Sequence, residues 1–160
     1  MRYIGLALII LAVAVVTYSY RARLFARVST LEAYLALAMH IRSRVSGYLE
    51  PPSVWAESFS SENGDAMALA LRVRGGEMPG EAYLSLMDGL LLSEEAKEML
   101  GTFFSRLGSG GLESEREGMD SGVNRLSVLL EKERDDCAQR GRIAAVMALM
   151  LSCGGAILMI

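Results

Sequence analysis

Few residues in this chain could do chemistry, and they are scattered. His40 is the only histidine in 160 residues. At helical spacing it falls opposite Leu31 and one turn before Arg44, where it reads as a solvated or rim residue with no second group to share a proton with. Cys137 and Cys153 are sixteen positions apart, without a metal-ligand spacing, and read as two separate reduced thiols. The run "GSGG", Gly108–Gly111, could cradle a phosphate, but it lacks the lysine and the preceding strand of a Walker loop and reads as a helix–helix turn. Ten methionines could line an adaptable groove. Four of them (Met1, Met147, Met150, Met159) fall at the initiator or in apolar segments, so core filling accounts for the rest. Trp55 reads as a core anchor. The acidic run "ESERE", Glu113–Glu117, is either a docking patch or a solvated helix start, where carboxylates complement the helix dipole. No catalytic constellation emerges, and the sequence calls for no cofactor and no metal.

The elements that must position these residues are unusually segregated. Hydrophobic residues make up 52% of the chain, and mean hydropathy is +0.30. All 19 acidic residues lie between Glu32 and Asp136. Neither 3–20 nor 143–160 holds a charge. Such a segment, about 18 residues at about 1.5 Å each, spans roughly 27 Å, close to a bilayer core. A helix satisfies every backbone group internally, as lipid requires. The competing reading is a pair of buried core helices, which usually carry a polar face. Arg21, Arg23 and Arg27 follow the first segment, and Arg134, Arg140 and Arg142 precede the second. Both biases place residues 21–142 in the cytoplasm and both termini outside. A signal peptide carries its positive charge ahead of the apolar run, whereas here only Arg2 precedes it; cleavage after Ala14 is the alternative. The expected organisation is a transmembrane helix at 1–20, a cytoplasmic domain at 21–142 and a second transmembrane helix at 143–160. Arg21, Arg23, Arg27, Arg140 and Arg142 would face lipid headgroups. The net charge of −3 and the absence of a basic, aromatic-interleaved patch argue against nucleic acid.

Residues 21–142 read as all-α. Leu24, Val28, Leu31, Leu35, Ala38 and Val45 recur at three- and four-residue spacing. A joint is expected at "STLE", where Ser29 and Glu32 could form a capping box, and "EPPS" should end the helix. A short helix follows Pro51–Pro52. Another has Asp65 as N-cap, a third starts at Pro79 and runs to about Leu91, and a fourth is capped by Ser93. From Leu112 a long helix carries the stripe Met119, Val123, Leu126, Leu130 and Cys137. The fold class is thus a cytoplasmic bundle of about six helices, the first and last long and continuing into the membrane. The long helices extend about 25 and 30 residues from it, roughly 37 and 45 Å. Lying antiparallel, they would carry the short helices at the membrane-distal end.

The layout and the run from Arg106 to Ile160 resemble the stage III sporulation protein AB family. The matching features are the Leu107–Gly108 turn, the acidic start Glu113–Glu117, the charged helix Leu126–Arg140 and the terminal glycines Gly154–Gly155. The stretch "LEAYLALAMHIRSRVSGYLEPPSVWAESF" resembles the family's first cytoplasmic helix and its proline-started successor. A glutamine expected after the Leu-Gly turn is absent; Glu115 or Glu117 occupies that stretch. The resemblance implies a fold similar to the cytoplasmic domain of type II secretion system F proteins. It also implies a place in the mother-cell half of the channel-like complex joining mother cell and forespore, in the cell membrane of an endospore former at the outer forespore membrane. An adjacent cytoplasmic ATPase, stage III sporulation protein AA, and other components of that complex would be partners, and a homo-oligomer is open. The function expected is a non-enzymatic platform coupled to that ATPase, docking it through Glu113, Glu115 and Glu117 near the "RGGEMPG" and "RLGSGGLESERE" turns. The alternative is a membrane-anchored helical sensor or enzyme with a ligand between its helices.

Overall fold

The computed structural model describes residues 2–45, 51–107 and 112–158, which form six helices and, among those residues, no strand. The helices are α1 (Arg2–Val45), α2 (Pro52–Ser58), α3 (Gly64–Arg74), α4 (Pro79–Met87), α5 (Glu94–Arg106) and α6 (Leu112–Leu158). The chain divides into two compact units. One joins residues 1–26 to 133–160, and the other is residues 27–132.

Local chemistry sets the short helices. Pro52 and Pro79 stand in the first turns of α2 and α4, where a missing N–H costs nothing. Ser93 caps α5 by accepting from the amide of Ala96 at 3.3 Å. The cap of α3 is Asn63, not Asp65. Its side-chain oxygen accepts from the amides of Asp65 at 3.0 Å and Ala66 at 3.3 Å, which puts Asp65 inside the first turn. Gly76, at φ +99°, makes the reversal after α3, a conformation L side chains rarely adopt. Helix α4 stops at Met87, short of the expected Leu91, because Gly89 and Leu90 turn back onto Leu86 and Met87. No joint interrupts α1 at Ser29–Glu32. Thr30 and Leu31 are both buried there, and packing overrides the local capping signal. The "EPPS" stop lies partly at 46–50, outside the described residues.

In the unit 27–132, α2 packs on α3, α3 on α4 and α4 on α5. Leu31, Tyr34, Leu37, Ala38 and Ile41 of α1 are essentially inaccessible. At about 100° per residue they fall within one arc of about 120°, while Ala36, Met39 and Ser43 are exposed on the opposite side, so this part of α1 is an amphipathic helix with one buried face. Tyr34 meets Tyr83 edge-on at 5.9 Å and Phe104 at 6.1 Å. Tyr83 stacks on Phe104 at 5.3 Å. These offset and T-shaped contacts suit the ring quadrupoles. The Tyr83 hydroxyl donates to the carbonyl of Lys97 at 3.1 Å. Burial, aided by the Glu94 carboxylate, pushes that phenol well above its ordinary range. Trp55 is buried as an anchor should be. From α6, Met119, Val123, Leu126 and Leu130 are buried as their spacing predicts, joined by Leu129; Cys137 is only half-buried.

The other unit is built the opposite way. Only Val13 and Thr17 of α1, and Gly141, Ala144, Ala148 and Ser152 of α6, are partly covered in the runs 10–20 and 141–154. Leu8, Leu11, Val15, Val16, Ile143, Val146, Leu149 and Met150 stand more than half exposed. One helix stretch among the described residues, Ile10–Arg44 of α1, is long and apolar enough to cross a membrane, with half of its most apolar window buried. No second helix among the described residues meets that measure, so the expected span at 143–160 is carried by its sequence.

Candidate functional site

Helix α5 and the first turns of α6 enclose an open groove of about 600 Å³. Its α5 wall is the stripe Glu95, Glu98, Met99, Thr102, Phe103 and Arg106, which a 3.6-residue period brings to one face. Its α6 wall is Glu115, Gly118, Met119, Gly122 and Arg125, with Glu117 and Ser121 flanking. Glycine sets the shape. A Cβ on Gly122 would stand 2.6 Å from Cδ2 of Phe103, so the helices touch at that level because glycine is there. One turn earlier, Gly118 has no neighbour within 4 Å, and the walls part. The floor is apolar: Phe103, Leu107 and Met119 are buried and Met99 is half-buried. The rim is charged. Glu95 is held by Lys132 at 2.7 Å. Glu98, Glu117 and Arg125 are exposed and make no ion pair among the described residues.

The expected contact residues do not form one surface. Glu113 is exposed but does not line the groove, Glu117 stands on its rim, and Glu115 is 9% exposed within its wall. At about 100° per residue, Glu113 and Glu117 share a face and Glu115 turns away from it. Of the two turns named with them, only the end of "RGGEMPG" can be placed, against α5. A Cβ on Gly80, at the start of α4, would lie 3.0 Å from Cα of Ser105, near the end of α5. Gly108–Gly111 are outside the described residues.

His40 is not merely solvated. It is half-buried, its Nε2 is 3.0 Å from Oγ of Ser58, and its ring tilts against Phe59 at 5.6 Å. The Ser58 hydroxyl donates its proton to the carbonyl of Trp55 at 3.1 Å. Nε2 of His40 is then the donor to Ser58, which is a tie between α1 and α2 rather than a base activating a nucleophile. Cys137 and Cys153 are free thiols. Arg21, Arg23, Arg140 and Arg142 are exposed, whereas Arg27 is half-buried with Nε inaccessible and belongs to the bundle. No group of three metal-ligating side chains occurs among the described residues.

The groove residues Glu98, Met99, Gly122 and Arg125 were not singled out from sequence. The signal available for them was Gly118 and Gly122 inside a helix, since an interior helical glycine costs about 1 kcal/mol and usually has a packing reason.

The model of the stage III sporulation protein AB family matches residues 2–160, nearly the whole chain. The chain belongs to that family. Neither the curated proteins nor the solved structures gave a match. The protein is therefore related to sporulation, in a stage III family that is not a known enzyme family. Its all-helical architecture and its apolar helix near the N-terminus are the frame for its function.

Proposed function

We propose that this protein is a non-enzymatic membrane platform of the sporulation complex between mother cell and forespore. The segments 1–20 and 143–160 would both be membrane-spanning, residues 21–142 cytoplasmic and both termini outside. The observation that carries this reading is the inversion of burial between the two units. Large apolar side chains face outward at Leu8, Leu11, Val15, Val16, Ile143, Val146, Leu149 and Met150, and mostly inward in residues 27–132. An outward apolar surface of that extent fits lipid. The α5–α6 groove offers a recognition surface set between two packed helices. We assign to it the docking of a cytoplasmic ATPase, with stage III sporulation protein AA as the candidate. The reading includes a likeness to the cytoplasmic domain of type II secretion system F proteins, supported only by the helical class of the described residues.

Crosslinking in sporulating cells, followed by mass identification, tests the partner. Reversing Glu98 and Glu117 to lysine should reduce ATPase capture most at low salt, because rim charges act on encounter and are screened. Glu115 is left intact, since its burial would turn that reversal into a folding defect. Undiminished capture by the double variant would remove the groove rim from the interface. The groove also favours a second reading, a helical sensor whose ligand sits between α5 and α6. A nucleotide- or metal-induced melting shift of the full chain would select it.

A further inference from the structure

We propose that Arg21, Arg140 and Arg142 form a clamp, built over Gly141, for the phosphodiester of an anionic phospholipid. The proposal rests on the membrane reading above. Its first support is a close approach. The missing Cβ of Gly141 would lie 3.9 Å from Nε of Arg21, so the Arg21 side chain reaches α6 at the level of Gly141. On α6, residues 140 and 142 each lie about 100° to either side of residue 141. Arg21 thus comes between two further guanidinium-bearing residues, and all three side chains are exposed.

The second support is a shortage of countercharge. Arg140 has Asp136 at 3.9 Å, a loose pair with both side chains about half exposed. Arg21 and Arg142 make no ion pair among the described residues. Guanidinium groups that reach the same level of the helix pair repel, and an anion among them relieves that repulsion. The guanidinium fork matches a phosphate geometrically, with paired N–H donors.

The third support selects the source of the phosphate. On one side of the three arginines the chain has no charge at all: 3–20 and 143–160 are uncharged. Val15, Val16, Ile143 and Val146 present exposed apolar surface there. Tyr18 at 77% and Tyr20 at 42% exposure stand between that surface and Arg21, the position amphipathic rings take at a membrane interface. A ligand whose anion sits on the arginines and whose chains lie along the apolar helices is an anionic diacyl phospholipid. Free phosphate uses only half of the site.

The test takes the full-length protein into vesicles of phosphatidylcholine alone, and of phosphatidylcholine with phosphatidylglycerol. Lipid retained after extraction is then counted by native mass spectrometry. Retained lipid should be enriched in phosphatidylglycerol over the bulk. Each arginine removed should lower the enrichment by about fivefold, the contribution of one basic side chain near an anionic surface. Arg21→Gln and Arg142→Gln should show that loss, while Arg44→Gln, in the other unit, should not. Gly141→Leu keeps every charge yet displaces Arg21, and should also lower retention; Gly141→Ala, at ordinary contact distance, should not. Equal retention of the two lipids by the wild-type protein would overturn the clamp. So would displacement of the lipid by millimolar inorganic phosphate, which would assign the site to a free anion. Failure to enter vesicles of either composition would instead overturn the membrane reading.

Discussion

The two units of this chain use the same residue types to opposite ends. In residues 27–132, Leu, Ile, Val and aromatic side chains close a core around Tyr34, Tyr83, Phe104 and Trp55. In the runs 10–20 and 141–154 the large apolar side chains mostly face outward, and the partly covered residues are mostly small: Gly141, Ala144, Ala148 and Ser152, with Val13 and Thr17. Water drives the first arrangement, because apolar area removed from it is the main stabilising term. The second gains nothing from apolar contact between its helices if lipid surrounds them, so close backbone approach at small residues takes over. One composition, about half apolar, therefore encodes two structures according to where the charges fall.

The comparison predicts a large asymmetry between matched substitutions. Leu126→Ala, at a fully buried site, should cost about 2–5 kcal/mol in denaturant unfolding of the full chain. Leu149→Ala, at a site 67% exposed, should stay within about 0.5 kcal/mol. Equal costs would erase the distinction between the units. The next effect sharpens the groove. Gly122→Ala forces the Phe103 ring to move from a 2.6 Å clash and should cost about 1–3 kcal/mol. An unchanged midpoint would show that α5 and α6 do not touch there. A smaller loss, about 1 kcal/mol, is expected for Asn63→Ala at the α3 cap, with Asp65→Ala costing less. The reverse order would restore Asp65 as the cap. The smallest effect is one of pH. The buried Tyr83 phenol has a raised pKa, so its contribution is intact below about 10, the unfolded value, and is lost as pH rises above that. Alkaline titration of the midpoint should show that decline, and Tyr83→Phe should reduce it, with the Tyr34 phenol, also raised by burial, supplying the remainder.

Much of this architecture is visible in the order of residues. Ser93, Pro79 and Pro52 announce helix starts because their chemistry is local, and the Met119–Leu130 stripe follows from period alone. The joint expected at Ser29–Glu32 fails for the converse reason: a capping signal is weak beside the burial of Thr30 and Leu31. Asn63 and Asp65 are both good caps, and only the position of Gly64 at the helix start decides between them. Glu115 was legible, since it lies four residues before Met119 and eleven before Leu126 on the buried stripe, and treating the acidic run as a unit hid it. The groove was not legible. It requires α5 and α6 to meet at one level, and nothing in either helix fixes that level except Gly122.

Spin-label accessibility along the two units tests the central claim most directly. Nitroxides are placed singly at Val16 and Leu149, and at Glu81 and Leu84, in a full-length Cys137→Ser, Cys153→Ala background reconstituted in vesicles. Relaxation by lipid-soluble oxygen should dominate at residues 16 and 149, and relaxation by a water-soluble nickel chelate at 81 and 84. Chelate accessibility at residues 16 and 149 equal to that at 81 and 84 would contradict the account, because those outward apolar faces would then meet water and not lipid.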